Sequence, residues 1–399
     1  MTSVETSLPT SVLAIRLKAQ PLNSRIFSRI LLIKPSALGD VVHTIPLLPK
    51  LRARFSEAQI DWLITPENAD LVRHHPALSG VVLLERQNLS KFGRSWSATT
   101  ELVQILRRLW RSRYELVIDL QGQLRSALFT LATGAPVRIG FDRPVSPARS
   151  ECARRKHWSL LGYRWTGARD GSWIVYSRRI PIPTLDVHAV DRYLWIAPML
   201  GLDVNPADSR IYLSADTEFG VKRLLEKHGL QRFAALVPGT KWETKHWGPE
   251  RFAEVGRWLK EKYGFDVVIL GTQNDSRRCE KVVKLCPGAI DFSGQTTAGE
   301  LAAILKRAAV CVTNDSGSMH LAVALGRPVV SIFGPTNPMH IGPYGRPHAV
   351  VRTDLPCSPC NFRRLSQCPH GHACMDQVSA VTVIGRVECA LGPVRRINL

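Results

Sequence analysis

The sequence predicts an α/β protein built from two doubly wound parallel sheets that face each other across a cleft. Three observations predict it. Apolar runs of strand length alternate with stretches carrying helical periodicity, which is the pattern of parallel sheets. Each of several strands opens onto a loop of small and polar residues that runs straight into a helix. The whole pattern occurs twice, on either side of a break at 201–209 that contains Asn205 and Pro206. A chain of 399 residues suits two domains of ordinary size. The boundaries expected are a loose extension at 1–28, a first domain at 29–200, a linker at 201–209, a second domain at 210–375 and a C-terminal tail at 376–399.

In the first half, 30–33 (ILLI) is a strand, 34–40 (KPSALGD) a loop, and 41–55 a helix. Strands follow at 59–64 and 81–84. Leu102, Ile105, Leu106 and Leu109 share one face of a helix over 100–110. The next strand, 114–120, carries Asp119 near its end and leads through Gln121, Gly122 and Gln123 into a helix at 124–133. From 134 to 186 the periodicity dissolves into Arg, Ser, Pro, Gly and Trp, which reads as a loop region facing a ligand. Residues 187–200 are helical again.

The second half starts with a strand at 233–237, which opens onto 238–247 (PGTKWETKHW). Pro249 then begins a helix, as proline favours the first helical position. A strand at 267–270, the loop 271–275 (GTQND) and a helix at 276–285 follow, with a helix at 297–307 beyond. Residues 308–313 are apolar and too short for a helix. They lead into 314–318 (NDSGS), a compact helix stopped by Gly326 and Pro328, and a strand at 329–333. The polar loop falls at the carboxyl end of a parallel strand, where open α/β sheets bind ligands.

Composition narrows the function classes. Hydrophobic residues make up 45% and charged residues 22%, as in a globular protein with ample core. The formal net charge of +20 points to nucleic acid, an anionic membrane surface or an acidic substrate. No nucleic-acid module accompanies it, so no nucleic-acid partner is expected. Basic clusters at Arg107, Arg108, Arg111 and Arg113, at Arg149 and 154–156, and at Arg178 and Arg179 all fall in the first half. An acidic substrate or a membrane surface met by that half is therefore preferred. No apolar run of transmembrane length exists and the first 25 residues lack a signal-like core. A cytoplasmic protein, or one peripheral on the inner face of a membrane, is expected.

Four loops carry candidate chemistry. Asp40 follows Gly39 in the first turn of a helix, where the helix dipole favours a carboxylate. It reads either as a cap or as a general base, and as a base it needs a desolvated site. Thr240, Lys241 and Lys245 offer a hydroxyl and two ammonium groups suited to a pyrophosphate, or else a solvated basic loop. Gln273 ends a strand where a ribose or base could sit. Free N–H groups beside Gly317 and Ser318 suit a phosphate, while Asp315 and Ser316 read as ligand contacts or as plain helix caps. There is no G-x-G-x-x-G and no Walker A motif, which argues against dehydrogenases and kinases. Cys357, Cys360, Cys368 and Cys374 crowd one segment. Only the first pair has zinc-ligand spacing, so a structural metal competes with packing thiols and redox pairing.

Residues 34–40 (KPSALGD), 119–122 (DLQG), 244–248 (TKHWG) and 314–321 (NDSGSMHL) together resemble the ADP-heptose:lipopolysaccharide heptosyltransferases of glycosyltransferase family 9. Residues 333–336 (FGPT) and 357–360 (CSPC) are similar to the same family, and the match runs in order from about 29 to about 375. Gln121-Gly122 followed by Arg125, and 188–192 (HAVDR), look most like heptosyltransferase I. The resemblance implies a GT-B fold of two Rossmann-like domains and an inverting transfer without metal or cofactor. Asp40 matches the family's base. Thr240, Lys241, Lys245, Gln273, Asp315, Ser316, Gly317 and His320 match the ADP-heptose side. Ser36, Gly39, Gln121, Gly122 and Arg125 match the side of an anionic Kdo-lipid A acceptor, held at the inner leaflet of the cytoplasmic membrane. Three departures stand out. Gln273 replaces the usual glutamate, Lys241 stands where heptosyltransferase I tends to have threonine, and the cysteine-rich segment looks like heptosyltransferase II. The rivals are a family member with another acceptor or nucleotide sugar, a nucleotide-sugar epimerase, and a non-enzymatic basic protein.

Overall fold

The computed structural model describes residues 22–85, 93–146, 165–205 and 208–392. They form two six-stranded sheets, parallel throughout. The first contains β1 Arg29–Ile33, β2 Gln59–Ile64, β3 Gly80–Leu83, β4 Leu116–Asp119, β5 Val137–Phe141 and β6 Arg178–Ile180, in the order β3-β2-β1-β4-β5-β6. The second contains β7 Phe233–Val237, β8 Asp266–Ile269, β9 Ile290–Asp291, β10 Val310–Asn314, β11 Val329–Ile332 and β12 Val350–Val351, in the order β12-β11-β10-β7-β8-β9. Counted from its own first strand, the second sheet repeats the order of the first. Growth reverses direction between β1 and β4 and again between β7 and β10. At such switch points the neighbouring loops diverge and leave a crevice at the carboxyl edge.

The central strands are apolar because both of their faces are covered. Ile30 to Ile33 and Phe233 to Val237 are all buried, as expected for parallel strands between helical layers. In the first domain the helices are α1 Leu38–Thr44, α2 Leu47–Arg54, α3 Trp96–Arg111, α4 Leu124–Ala132 and α5 Ala189–Leu194. In the second they are α6 Ala215–Lys227, α7 Pro249–Tyr263, α8 Ser276–Leu285, α9 Ala298–Arg307, α10 Gly317–Ala324 and α11 Ala380–Leu391. Their starts carry the expected caps. Ser214 Oγ accepts from Thr217 N at 3.0 Å, and Thr297 and Glu300 exchange bonds across a capping box.

The structure differs from the sequence reading in four places. The single helix expected at 41–55 is two helices, α1 and α2, broken where Pro46 removes a donor. The stretch 134–186 is not all loop, since β5 and β6 complete the sheet. Val137, Ile139 and Phe141 of β5 alternate inward with Arg138 between them, but five residues set among prolines and arginines give little periodicity to read. Residues at the end of the expected N-terminal extension are packed: Leu22 and Phe27 are buried, and Leu22 N donates to Met199 O at 2.6 Å. Finally, the expected tail contains α11, whose Val383 and Val387 are fully buried in the second domain's core.

The cysteine-rich segment has a mechanical explanation. Cys357, Cys360, Cys368 and Cys374 are free thiols, and Cys374 is buried. Among the described residues no group of three or more His, Cys, Asp or Glu side chains is arranged to hold a metal ion. The segment instead braces the loop after β7. Thr244 Oγ1 donates to Phe362 O at 2.5 Å, His372 Nε2 bonds Thr244 O at 2.7 Å, and Leu365 N donates to Glu243 at 3.1 Å. Met375 is fully buried against Gly334.

If this segment is core, Met375→Ala should cost about 2–5 kcal/mol. Urea unfolding followed by tryptophan fluorescence would measure it, and an unchanged midpoint would show that the segment is not integral to the domain.

Candidate functional site

The two domains meet through the helices that follow their switch-point strands. Helix α1 leaves the β1 loop and α10 leaves the β10 loop, and the N-terminal turns of both face one cleft. Their contact is too close for larger residues. A Cβ on Gly39 would come within 2.6 Å of the His320 ring, and one on Gly317 within 2.7 Å of Leu38. The cleft beside this contact has a volume of about 1280 Å³ and is lined from both domains. That exceeds a typical small-ligand pocket and leaves room for two substrates.

On the first domain's wall stands Asp40, in the first turn of α1. Tyr193 of α5 donates its hydroxyl to Asp40 Oδ1 at 2.9 Å, and Ala37 N donates to Oδ2 at 3.3 Å. Lys34 Nζ lies 3.9 Å from Oδ1 and donates to Leu120 O at 3.1 Å. Burial pulls the Lys34 pKa down, but Asp40 and Tyr193 outweigh it and leave Lys34 above its ordinary value, hence cationic. Burial and Asp40 both push Tyr193 up, so its phenol stays protonated and keeps donating. The carboxylate is thus oriented from two sides. Arg192 lies close by, buried and stacked over Trp165 at 4.2 Å, with Nε lacking a protein partner.

The opposite wall is an interlocked pair of loops. Lys245 Nζ pairs with Asp315 Oδ2 at 2.5 Å, with both side chains buried. Thr336 donates to the same carboxylate at 2.6 Å, and Thr240 Oγ1 donates to Asp315 O at 2.9 Å. Asn314 ties the loops together by donating to Pro238 O at 2.8 Å and accepting from Trp247 N at 3.2 Å. Lys245 Nζ sits 4.4 Å from the Trp242 ring centre. The result is a cation held rigidly beside the open N-terminus of an eight-residue helix, which suits an anionic ligand.

Histidines bridge the walls. His43 Nε2 and His320 Nδ1 share a hydrogen bond of 2.9 Å, and the His188 ring lies 5.2 Å from that of His43. His188 Nδ1 accepts from Val190 N as the cap of α5, which leaves Nε2–H to donate to Gly342 O of the second domain at 3.0 Å. Burial lowers His320 to about 4 and His188 to about 3, and pushes His43 well below its ordinary value. All three are neutral near pH 7.

Of the residues singled out from sequence, Asp40 and Gly39 line the cleft from one side, and Thr240, Lys241, Lys245, Gln273, Asp315, Ser316, Gly317 and His320 from the other. Ser36, Gln121, Gly122 and Arg125 do not line it. Gln121 and Gly122 form a turn over buried Asp119, which accepts both of their N–H groups at 2.9 and 3.1 Å, and Gly122 supplies the positive φ. Arg125 is exposed on α4. Sequence reasoning missed Tyr193, His43 and Arg278, and also His246, whose buried Nε2 has no hydrogen-bond partner. Local periodicity marks such residues as core or surface, and only the tertiary packing puts them at the cleft.

The family model "Glycosyltransferase family 9 (heptosyltransferase)" matches residues 102–160 and 153–370. The chain is 31% identical to lipopolysaccharide heptosyltransferase 1 of Pseudomonas aeruginosa, over 83% of this chain and 86% of that protein. It is 25% identical to the Escherichia coli K12 protein of the same name, over 81% and 93%. It is 24% identical to lipopolysaccharide heptosyltransferase 2 of Salmonella typhimurium, over 81% and 88%. Among solved structures, Escherichia coli heptosyltransferase WaaC with ADP superposes with a TM-score of 0.67 at 23% identity, covering 91% of this chain and 99% of that one. A family 9 glycosyl transferase from Veillonella parvula superposes with a TM-score of 0.70 at 21% identity, covering 94% and 99%. The fold is therefore GT-B.

The histidine bridge makes a pH prediction. Histidine near pH 6.5 in the unfolded chain but near 3–4 when folded means that the unfolded state binds more protons between those values. Stability then rises with pH through that window, is complete above it, and is lost on acidification. The urea midpoint should fall between pH 7.5 and pH 5. It should fall less in His188→Asn, which keeps the cap acceptor but does not titrate. Equal losses in both proteins would remove His188 from the account.

Proposed function

The chain belongs to glycosyltransferase family 9, the heptosyltransferases, and from that premise we propose that it transfers L-glycero-D-manno-heptose from ADP-heptose to the Kdo-lipid A inner core of lipopolysaccharide. The observation that carries this reading is the opposition, across one cleft, of an oriented carboxylate at the start of α1 and an anion-binding loop at the start of α10. Greater identity to relatives named heptosyltransferase 1 than to one named heptosyltransferase 2 favours the first heptose.

In this mechanism Asp40 removes the proton of an acceptor hydroxyl as its oxygen attacks the anomeric carbon. The new C–O bond forms on the face opposite the leaving group, the bond from that carbon to the pyrophosphate oxygen breaks, and ADP departs with inversion. Tyr193 and Lys34 aim Asp40 at the acceptor. Lys245, positioned by Asp315, and the N–H groups of α10 stabilise the charge that develops on the leaving pyrophosphate. The transfer proceeds without a metal. Thr240, Lys241, Ser316 and Gly317 take the donor phosphates, while Gln273 and the free Nε2 of His246 face the nucleoside. His320 holds the donor loop against α1. On the acceptor side, Gly39 borders the hydroxyl, with Ser36 in the loop before it. Gln121 offers a buried Oε1 that has no protein partner, Gly122 shapes that turn, and Arg125 and Arg192 supply charge for acidic groups.

No helix among the described residues is long and apolar enough to cross a membrane. A lipid acceptor and a net charge of +20 support peripheral association with the inner face of the cytoplasmic membrane.

A transfer assay run in EDTA with a Kdo-lipid A acceptor tests the reading. Wild type should turn over. Asp40→Asn should lose about 10²- to 10⁴-fold in kcat with ADP affinity nearly intact. In Lys245→Ala, ADP binding by calorimetry should weaken about 10- to 100-fold, as expected for a lost charge-assisted bond. A fully active Asp40→Asn enzyme removes that residue as base. Preference for UDP or GDP over ADP would discard the heptose donor, and inhibition by EDTA would sink the metal-free mechanism.

A further inference from the structure

Helix α4 carries apolar residues on both faces, with Ala127 and Phe129 buried toward the core. Leu124, Leu128 and Leu131 share its outer face and are 53%, 57% and 47% exposed, while Ser126 and Thr130 are turned inward and buried. The inward polar groups are satisfied: Ser126 donates to Gln123 O at 2.8 Å and Thr130 to Ser126 O at 3.0 Å. The outward leucines belong to none of the hydrophobic clusters formed by the described residues. They are part of a larger patch. Helices α3 and α4 lie side by side over one small core containing Leu109, Val117 and Phe129. Exposed Trp110, at the end of α3, lies against Gly134 just beyond α4, and exposed Ile174 sits in the short helix Ser172–Val175 packed on α4. Exposed apolar side chains gathered on one flank in this way mark a candidate interaction site.

The charge around the patch identifies what it meets. Arg107, Arg108 and Arg111 on the exposed side of α3 line a shallow groove with Arg29, and the Arg113 guanidinium lies 5.6 Å from the Trp110 ring centre. Leucines bounded by arginine and interfacial tryptophan match a bilayer surface, with its apolar interior below anionic headgroups. A second copy docked about a twofold axis would bring the same arginines toward each other, which disfavours a dimer. The position also fits. Helix α4 starts immediately after Gln121 and Gly122, so the leucine face begins at the carboxyl edge of the first sheet and runs down the flank of the domain.

We propose that the outer face of α4, together with the arginine-rich end of α3, is the surface on which the protein rests on an anionic bilayer. This inference rests on the reading of a lipid-borne acceptor given above and names the residues that make the contact. It lays the flank of the first domain on the membrane, with the arginine groove at the amino edge of the sheet and the start of α4 at the carboxyl edge, on the side of the crevice.

The test is sedimentation of the full chain with vesicles of phosphatidylcholine alone or mixed with phosphatidylglycerol. Wild type should bind the anionic vesicles and not the neutral ones. Leu128→Glu with Leu131→Glu, and separately Arg108→Glu with Arg111→Glu, should each weaken binding by about tenfold or more. Neither pair is in the catalytic cleft, so kcat/KM on a deacylated, water-soluble Kdo acceptor should be unchanged, while transfer to the same acceptor embedded in vesicles falls. Variants that bind anionic vesicles as wild type does would overturn the proposal. So would a wild-type dimer that the leucine variant converts to monomer while vesicle binding persists. If the vesicle results hold but no heptose is transferred to either acceptor, the surface stands and the functional reading falls.

Discussion

Everything in the cleft depends on how closely α1 and α10 approach. Gly39 lets the His320 ring sit against the backbone of α1, and Gly317 lets Leu38 reach the backbone of α10. A methyl group at either place would force the two first turns apart. Those turns carry Asp40 of one domain and the loop of Asp315 and Ser316 of the other, so the glycines set the distance between the two walls of the cleft. The neutral histidines His43, His188 and His320 fill the same junction. Their burial without charge makes the contact stable near neutral pH and weak in acid.

The two walls are stiffened differently. Asp40 is aimed by Tyr193 and Lys34, which come from α5 and from the end of β1, so the first domain's chemistry depends on residues far apart in the chain. Lys245 is aimed by Asp315, and the loop that carries it is braced from behind by the cysteine-rich segment through Phe362, Leu365 and His372. This bracing holds the loop of Lys245 in place behind the cleft. Groups held in place by such bonds keep their orientation without reorganising when a charged ligand arrives.

The first domain is asymmetric in a way that the second is not. Its α3 and α4 cover one sheet face with a thin core and turn leucine, tryptophan and arginine outward. In the second domain α11 packs beside α7 and over β10, β11 and β12, with Val383 and Val387 buried.

Local sequence determined much of this. The alternation of strands and helices, the small-residue turns at 34–40 and 314–318, and Lys245 after β7 were legible because backbone geometry and helix capping act over a few residues. So was the family, since its motifs are short and ordered. The short strands β5 and β6 were not legible, because edge strands among prolines and arginines carry too few side chains to show a period. Nor was the fate of Pro46, which divided one helical pattern into two helices. Tyr193 on Asp40 and the bridge of His43 to His320 across 277 positions were decided only by the tertiary structure. Each is a contact between segments whose separation along the chain carries no local signal; the first needs the first domain to fold, and the second needs the two domains to meet.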